Sequence, residues 1–333
     1  MALVRIALIG VGRWGRAYLS TLLSLGERCR LTHLVTRHPE HAQLIPYPVT
    51  VLHEWRDVTG VECEAVIIAT PPHLHAEMLE ACLEAGKPCI VEKPLCLTVE
   101  QARRLQERVE RSGVPVLVDH THVFHPAYRV LKQQLQQRQQ TVRLIISEGG
   151  ALGPFRSHTS ALWDWGPHDV SLCIDLVGQS PRQIAVLGGP EDAEGAPELM
   201  SVKLVFPSGV CAWIQVGRLF PWKRRTLSVF TDTHLYRLDD MASPQLTVAP
   251  FTFAQRDEPR TQEEALVCEP ILVPHSQPPL TSAVEYFLDG LAGGDRTYFG
   301  TALAVEVVRV LAACETALKA QTNNTGQRAR RCV

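Results

Sequence analysis

The sequence lacks long apolar runs, an excess of either charge, and paired cysteines. No apolar stretch approaches the roughly 18 residues that a membrane-spanning helix needs, so no membrane partner is expected. A net charge of -2 leaves no basic footprint for nucleic acid or an anionic surface. Ten cysteines stand singly with no CxxC pair, which argues against a zinc cluster and a disulfide framework alike. The opening residues MALVRIALIGVG show no charged leader followed by an apolar run and cleavage site. No secretion signal is therefore expected, and a cytoplasmic, reducing location fits best. What is present is an ordinary globular composition, 45% apolar and 20% charged over 333 residues, a length at which two domains are the expectation.

Val4 to Ile9 is an apolar, β-branched run, and Gly10-Val11-Gly12-Arg13-Trp14-Gly15 follows it directly, matching G-x-G-x-x-G. Trp14, Ala17, Tyr18, Thr21, Leu22 and Leu25 then recur at helical spacing, so the glycines lie between a strand and a helix. That context suits a dinucleotide. Gly10 permits the tight turn, Gly12 admits a pyrophosphate, Gly15 lets the helix pack close, and the helix start at Arg13 and Trp14 favours phosphate. The next strand, Leu31 to Val35, ends in Thr36-Arg37, where a site selective for NAD usually carries Asp or Glu. A hydroxyl and a guanidinium suit a 2′-phosphate better, which tilts the expected cofactor toward NADP, with NAD the alternative. The bland reading of Arg37 is a solvated loop residue.

A third strand is expected at Val49 to Leu52 and a short helix at Glu54 to Val58. The stretch Ala65 to Leu95 then reads as strand, Thr70-Pro71-Pro72 turn, helix containing His75, strand, and the polar triplet Glu92-Lys93-Pro94. Strand, helix, strand alternation builds a parallel sheet, and ligands of open sheets bind beyond the strands' carboxyl ends, where Thr70 and Lys93 fall. Thr98-Val99-Glu100-Gln101 has the form of a capping box. Val114 to Val118 completes a six-stranded, doubly wound domain covering residues 1–121. From 122 to 320 the expectation is an α+β domain with a mostly antiparallel open sheet. A helix at Ala127 to Gln137 is followed by strands at 142–147, 183–187, 199–206, 210–216, 226–230 and 235–238. Residues 250–279 read as loop, 280–292 and 301–319 as helices, and 321–333 as a disordered tail.

Between the first strand of the second domain and the rest of its sheet lies Leu162-Trp163-Asp164-Trp165-Gly166-Pro167-His168-Asp169. Pro167 is expected in the first turn of a helix, which puts Asp164 near the N-cap and His168 on the same face. Taken singly, Asp164 reads as a cap and His168 as a core histidine. The same openness holds for Trp163 and Trp165, which either stack on a sugar ring or fill a core. The histidines at 73, 75, 120, 122 and 125 alternate along their segments in a way that keeps them from sharing one ion, so no metal is expected.

Together, Gly10-x-Gly12-x-x-Gly15, Ala69-Thr70-Pro71-Pro72 with His75, Glu92-Lys93-Pro94 and Asp164-x-x-x-His168 resemble the glucose–fructose oxidoreductase and inositol dehydrogenase (Gfo/Idh/MocA) family. The resemblance spans nearly the whole chain. It implies a Rossmann domain plus a C-terminal domain whose open sheet mediates homodimers or homotetramers. It also implies NAD(P)-dependent hydride transfer at a carbinol or carbonyl carbon of a sugar, sugar nucleotide or cyclitol. By position, the family places Lys93 near nicotinamide and substrate, has Glu92 and Pro94 shape the cofactor site, and sets Asp164 and His168 beside the reacting hydroxyl. His168 is the expected proton-transfer residue with Lys93 polarising the oxygen, the reverse being open. Where many members carry Arg or Tyr, this chain has His122-Val123-Phe124-His125, so His122 enters as a substrate-contact candidate. Two readings compete: a catalytically silent NADP(H) sensor, and a reductase of a non-sugar carbonyl or imine.

Overall fold

The computed structural model describes residues 3–155, 159–253, 267–274 and 277–331. The chain divides into two compact units, one of Met1–Phe124 with Gln277–Arg309, the other of His125–Ser276 with Val310–Val333.

The first unit holds strands β1 (Val4–Ile9), β2 (Cys29–Val35), β3 (Thr50–Leu52), β4 (Ala65–Ile68), β5 (Cys89–Glu92) and β6 (Val116–Asp119). Helices α1 (Arg13–Ser24), α2 (Pro72–Glu84) and α3 (Val99–Ser112) connect them. The sheet order is β3-β2-β1-β4-β5-β6, every pairing parallel. Residues 65–68 of β4 and 89–91 of β5 are fully buried, the continuous apolar texture of parallel strands covered on both faces. Thr98 accepts from the Gln101 N–H at 3.2 Å, so the expected cap forms, and the helix it starts ends on Gly113 at φ 63°. The short helix at Glu54 to Val58 is a 3-10 turn, Trp55–Gly60.

The second unit contains α4 (Pro126–Gln137), β7 (Val142–Leu152) and α5 (Ala161–Val177), then β8 (Gln183–Gly188), β9 (Leu199–Val205), β10 (Cys211–Gly217), β11 (Leu219–Thr231), β12 (His234–Asp239), β13 (Leu246–Pro250) and β14 (Glu269–Pro270). Its sheet runs β14-β13-β12-β11-β7-β10-β9-β8, with β7 and β10 the single parallel pair among the described residues. On β7, β9 and β10 buried and open positions alternate: Ile145, Val202 and Ile214 lie inward with α5 packed over β7 and β10, whereas Ile146 and Trp213 face out. The remaining helices are α6 (Pro279–Leu291) and α7 (Ala302–Arg331).

Four boundaries differ from expectation. Residues 277–309 belong with the first unit, because α6 packs on α1 and Gly300 bridges to Leu117 of β6. Such long-range pairing leaves no local mark. Strand β13 forms over Leu246–Pro250, where no strand was expected, and β14 lies within the 250–279 loop; residues 254–266 and 275–276 of that loop lie outside the described residues. Helix α7 runs on past Gln321 to Arg331, through a Thr-Asn-Asn-Thr-Gly stretch whose low helix propensity favoured the expectation of a disordered tail. Finally, α5 starts at Ala161, so Pro167 is inside the helix and Asp164 in its first turn. Burial of Ala161, Leu162 and Trp163 favours the added upstream turn, although Pro167 has no N–H to offer the Trp163 carbonyl.

Candidate active site

The glycine turn joins β1 to α1. Gly10 has φ 92°, a conformation that suits a residue without Cβ, and a Cβ on Gly15 would lie 2.1 Å from the Gly10 carbonyl oxygen. A Cβ on Gly12, by contrast, would meet nothing within 4 Å. Gly12 is also the N-cap of α1, with no side-chain cap and no acidic residue in the first turn. The helix start at Arg13 and Trp14 therefore offers N–H donors, a positive dipole end and open space, which fits a dinucleotide pyrophosphate. At the end of β2, the Thr36 hydroxyl is held within its own loop, accepting the His38 N–H at 3.1 Å, while Arg37 is exposed.

One side chain ties the ends of β4 and β5 together. Buried His75 on α2 places Nε2 at 2.8 Å from the Thr70 carbonyl and Nδ1 at 2.8 Å from the Pro94 carbonyl. Both partners are acceptors, and a neutral imidazole donates to only one of them. Burial nonetheless holds the His75 pKa down, more than the two carbonyls raise it. Pro71 and Pro72 set the turn between these contacts, Pro72 as the first residue of α2.

Glu92 ends β5, and Lys93 and Pro94 follow it into a buried polar cluster. Glu92 is the register partner of Asp119 across β5 and β6, and the Tyr18 hydroxyl of α1 donates to Asp119 Oδ2 at 2.5 Å. Burial, then the neighbouring Asp119 charge, push Glu92 up to about 8 against the pull of Lys93. Burial raises Asp119 to about 6, opposed first by the Tyr18 hydrogen bond. His120, 2% exposed and without a partner on either ring nitrogen among the described residues, is driven down to about 3 by burial and then by Lys93. It borders a cavity of about 70 Å³ within this unit.

In the second unit the candidates sit on α5. Asp164 Oδ2 lies 3.4 Å from Nη2 of the fully buried Arg218, whose Nη1 reaches Glu198 Oε1 at 3.3 Å. Arg218 Nη2 also donates to the Thr159 carbonyl. His168 follows Asp164 by four residues and is buried, so the two share a helix face. Asp169, fully buried, accepts from Ser147 Oγ at 2.6 Å and from Arg225 Nη1 at 2.9 Å. The Arg225 guanidinium lies 5.4 Å from the Trp165 ring centroid.

Residues 4–120 match the model of the Gfo/Idh/MocA family, an oxidoreductase family with an NAD-binding Rossmann fold. The crystal structure of a proposed oxidoreductase from Magnetospirillum magnetotacticum MS-1 is 34% identical, with 94% of this chain and 100% of that one covered and a TM-score of 0.82. This chain belongs to the Gfo/Idh/MocA family. Among curated relatives, the 4-carboxy-2-hydroxymuconate-6-semialdehyde dehydrogenase of Sphingobium sp. is 27% identical over 64% of this chain and 72% of its own length. The NADP(+) scyllo-inositol 2-dehydrogenase of Bacillus subtilis is 26% identical over 57% of each. The UDP-N-acetylglucosamine 3-dehydrogenase of Acidithiobacillus ferrooxidans shares the fold at TM-score 0.80 and 20% identity, covering 96% of this chain and 99% of that one. The Gfo/Idh/MocA chain described here is thus an NAD(P)-dependent oxidoreductase with the parallel-sheet and mostly antiparallel-sheet architecture expected of it.

Within this family member the first unit gathers Gly10, Gly12, Gly15, Thr70, Pro71, Pro72, His75, Glu92, Lys93 and Pro94 at the carboxyl edge of one sheet, with Thr36 and Arg37 at the end of β2. His122 falls in a 3-10 turn, Thr121–Phe124, of the same unit. Trp163, Asp164, Trp165 and His168 belong to α5 of the other unit. Trp163 is 6% exposed and part of the core, whereas Trp165 is half-buried beside Arg225. Sequence reasoning missed Tyr18, Asp119 and Arg218. An aspartate closing the apolar run Val116 to Val118 was a usable signal; Arg218, between β10 and β11, carried none.

Proposed function

We propose that this chain oxidises or reduces a carbinol or carbonyl carbon of a sugar, sugar nucleotide or cyclitol, with Lys93, His168 and Asp164 as its reactive side chains. The observation that carries the reading is a buried lysine at the carboxyl edge of the sheet that also bears the open glycine turn. When bound, the nicotinamide supplies or accepts the hydride. His168 exchanges the proton at the substrate hydroxyl oxygen, Lys93 polarises that oxygen, and Asp164, itself held by Arg218, orients His168. Trp165 and His122 contact the substrate. Inositol and sugar-nucleotide dehydrogenases among the relatives support the substrate class. In Lys93→Ala, kcat is expected to fall about 10²- to 10⁴-fold while fluorescence titration shows cofactor binding retained. Unchanged turnover sinks the assignment.

NADP is the favoured cofactor. Arg37 is exposed where Asp or Glu would hold a ribose diol, and Arg37→Ala should cost NADP about tenfold in affinity, ~1.4 kcal/mol, while leaving NAD unaffected. Homodimers or homotetramers through the open sheet face are supported by outward Ile146, Trp213 and Leu187, exposed by 39%, 47% and 69%. Sedimentation tests that. The reading of a cytoplasmic location is supported by cysteines that are free among the described residues, where also no helix is long and apolar enough to cross a membrane. One observation favours a second reading: the Sphingobium relative is named for a carboxylated semialdehyde. A substrate screen that includes such aldehydes beside polyols separates the two.

A further inference from the structure

Within the first unit, Glu92 and Asp119 are both buried, at 4% and 0% exposure, and their Cα atoms pair in the parallel register of β5 and β6. Glu92 Oε1 and Asp119 Oδ1 each lack a hydrogen-bond partner among the described residues, an arrangement that is costly for two ionised carboxylates. The groups facing them are few. Tyr18 comes from α1, Lys93 follows on β5, Thr121 and His120 come just after β6, and His75 from α2 acts on the cluster through Lys93. Of these Lys93 is the one amine, a group ordinarily cationic at neutral pH, while both histidines are held neutral by burial and the Tyr18 phenol by burial and two acids. Two carboxylates against one ammonium would leave a net negative charge in a dry site. One proton on the acids restores the balance.

We infer that Glu92 and Asp119 share one proton and act as a single buried counter-charge that positions the ammonium of Lys93. Tyr18 anchors the pair by donating to Asp119 Oδ2, which steers the retained proton toward Glu92. Glu92 and Asp119 are positioning residues here, acting on the reaction through Lys93; the inference rests on the proposed role of Lys93 only where turnover is concerned. Burial, which pushes Glu92 up to about 8 and Asp119 up to about 6, agrees with a pair that keeps one proton between those values.

The sharing has a signature that separate carboxylates lack. If one proton is shared, either Glu92→Gln or Asp119→Asn leaves a single ionised carboxylate, so Lys93 sees the same net charge as before. Titration of ¹³Cε-labelled lysine by NMR, with Lys93 assigned through Lys93→Arg, should show the Lys93 pKa unmoved in each single variant. In the double variant it should fall by about 1 to 3 pH units. Infrared spectra at pH 7 should show a protonated-carboxyl C=O band in the wild type that is absent from both single variants; this arm stands if the double variant does not fold. A single variant that lowers the Lys93 pKa by half the double variant's shift overturns the inference. So does a wild-type spectrum without the band, or a band that persists in either single variant. Neither readout requires turnover, so an active Lys93→Ala enzyme would refute the proposed catalytic role while leaving the shared proton to stand or fall on these spectra.

Discussion

Asp119 and Asp169 are both fully buried aspartates, one closing a parallel strand in the first unit, the other on a helix in the second. Asp169 lies between an arginine and a serine hydroxyl, and both of its oxygens are engaged. Asp119 has a tyrosine on one oxygen and another acid as its register partner. Burial raises both pKa values, but at Asp169 the Arg225 charge leads the opposition, while at Asp119 it is a neutral hydroxyl. The first is a completed ion pair, the second an incomplete one. Buried charge that is paired specifies a fold; buried acid left near a lysine leaves a proton free to move.

Removing the cation from the completed pair should have the largest effect. Arg225→Met strands the Asp169 carboxylate beneath β7 and is expected to cost about 3–5 kcal/mol in urea denaturation. A loss below about 1 kcal/mol would show that Asp169 simply takes up a proton, as Asp119 is inferred to do.

The incomplete pair should respond to pH instead. Folded-state values of about 6 for Asp119 and about 8 for Glu92 lie above their ordinary 3.8 and 4.5. Their contribution is therefore fully present below the ordinary values and is lost as pH rises through about 6 and then about 8. Wild-type stability should decline from pH 5 to 8, and Asp119→Asn should flatten that decline more than Asp169→Asn does, because the Arg225 charge opposes the rise at Asp169. Equal slopes in wild type and Asp119→Asn would erase the distinction between the two aspartates. The smallest effect is expected from Ser147→Ala, about 1 kcal/mol for one hydrogen bond to a carboxylate that keeps its arginine.

Much of the first unit was legible from the chain alone. The run Val4–Ile9 is β1 to the residue, the glycines sit between strand and helix, and Thr98 caps α3 as its spacing implies. These features are local, set by contacts within a few residues. Lys93, Thr70 and His75 were legible as a group because successive βα units return to the same sheet edge. The role of His75 as a bridge between two carbonyls was not, since it depends on where α2 packs. Pro167 misled because a rule about backbone N–H groups was outweighed by burial of the preceding turn.

Sequence by itself determined the glycine turn between β1 and α1, whose geometry follows from nearest neighbours, and, through its resemblance to a known family, the reaction class. Tertiary structure alone decided that Tyr18 would meet Asp119 across 101 residues and that Asp119 would lie in register with Glu92. It also decided that Arg218 would reach Asp164 from a strand connection. Those pairings depend on strand order and burial, and neither quantity is carried by spacing along the chain.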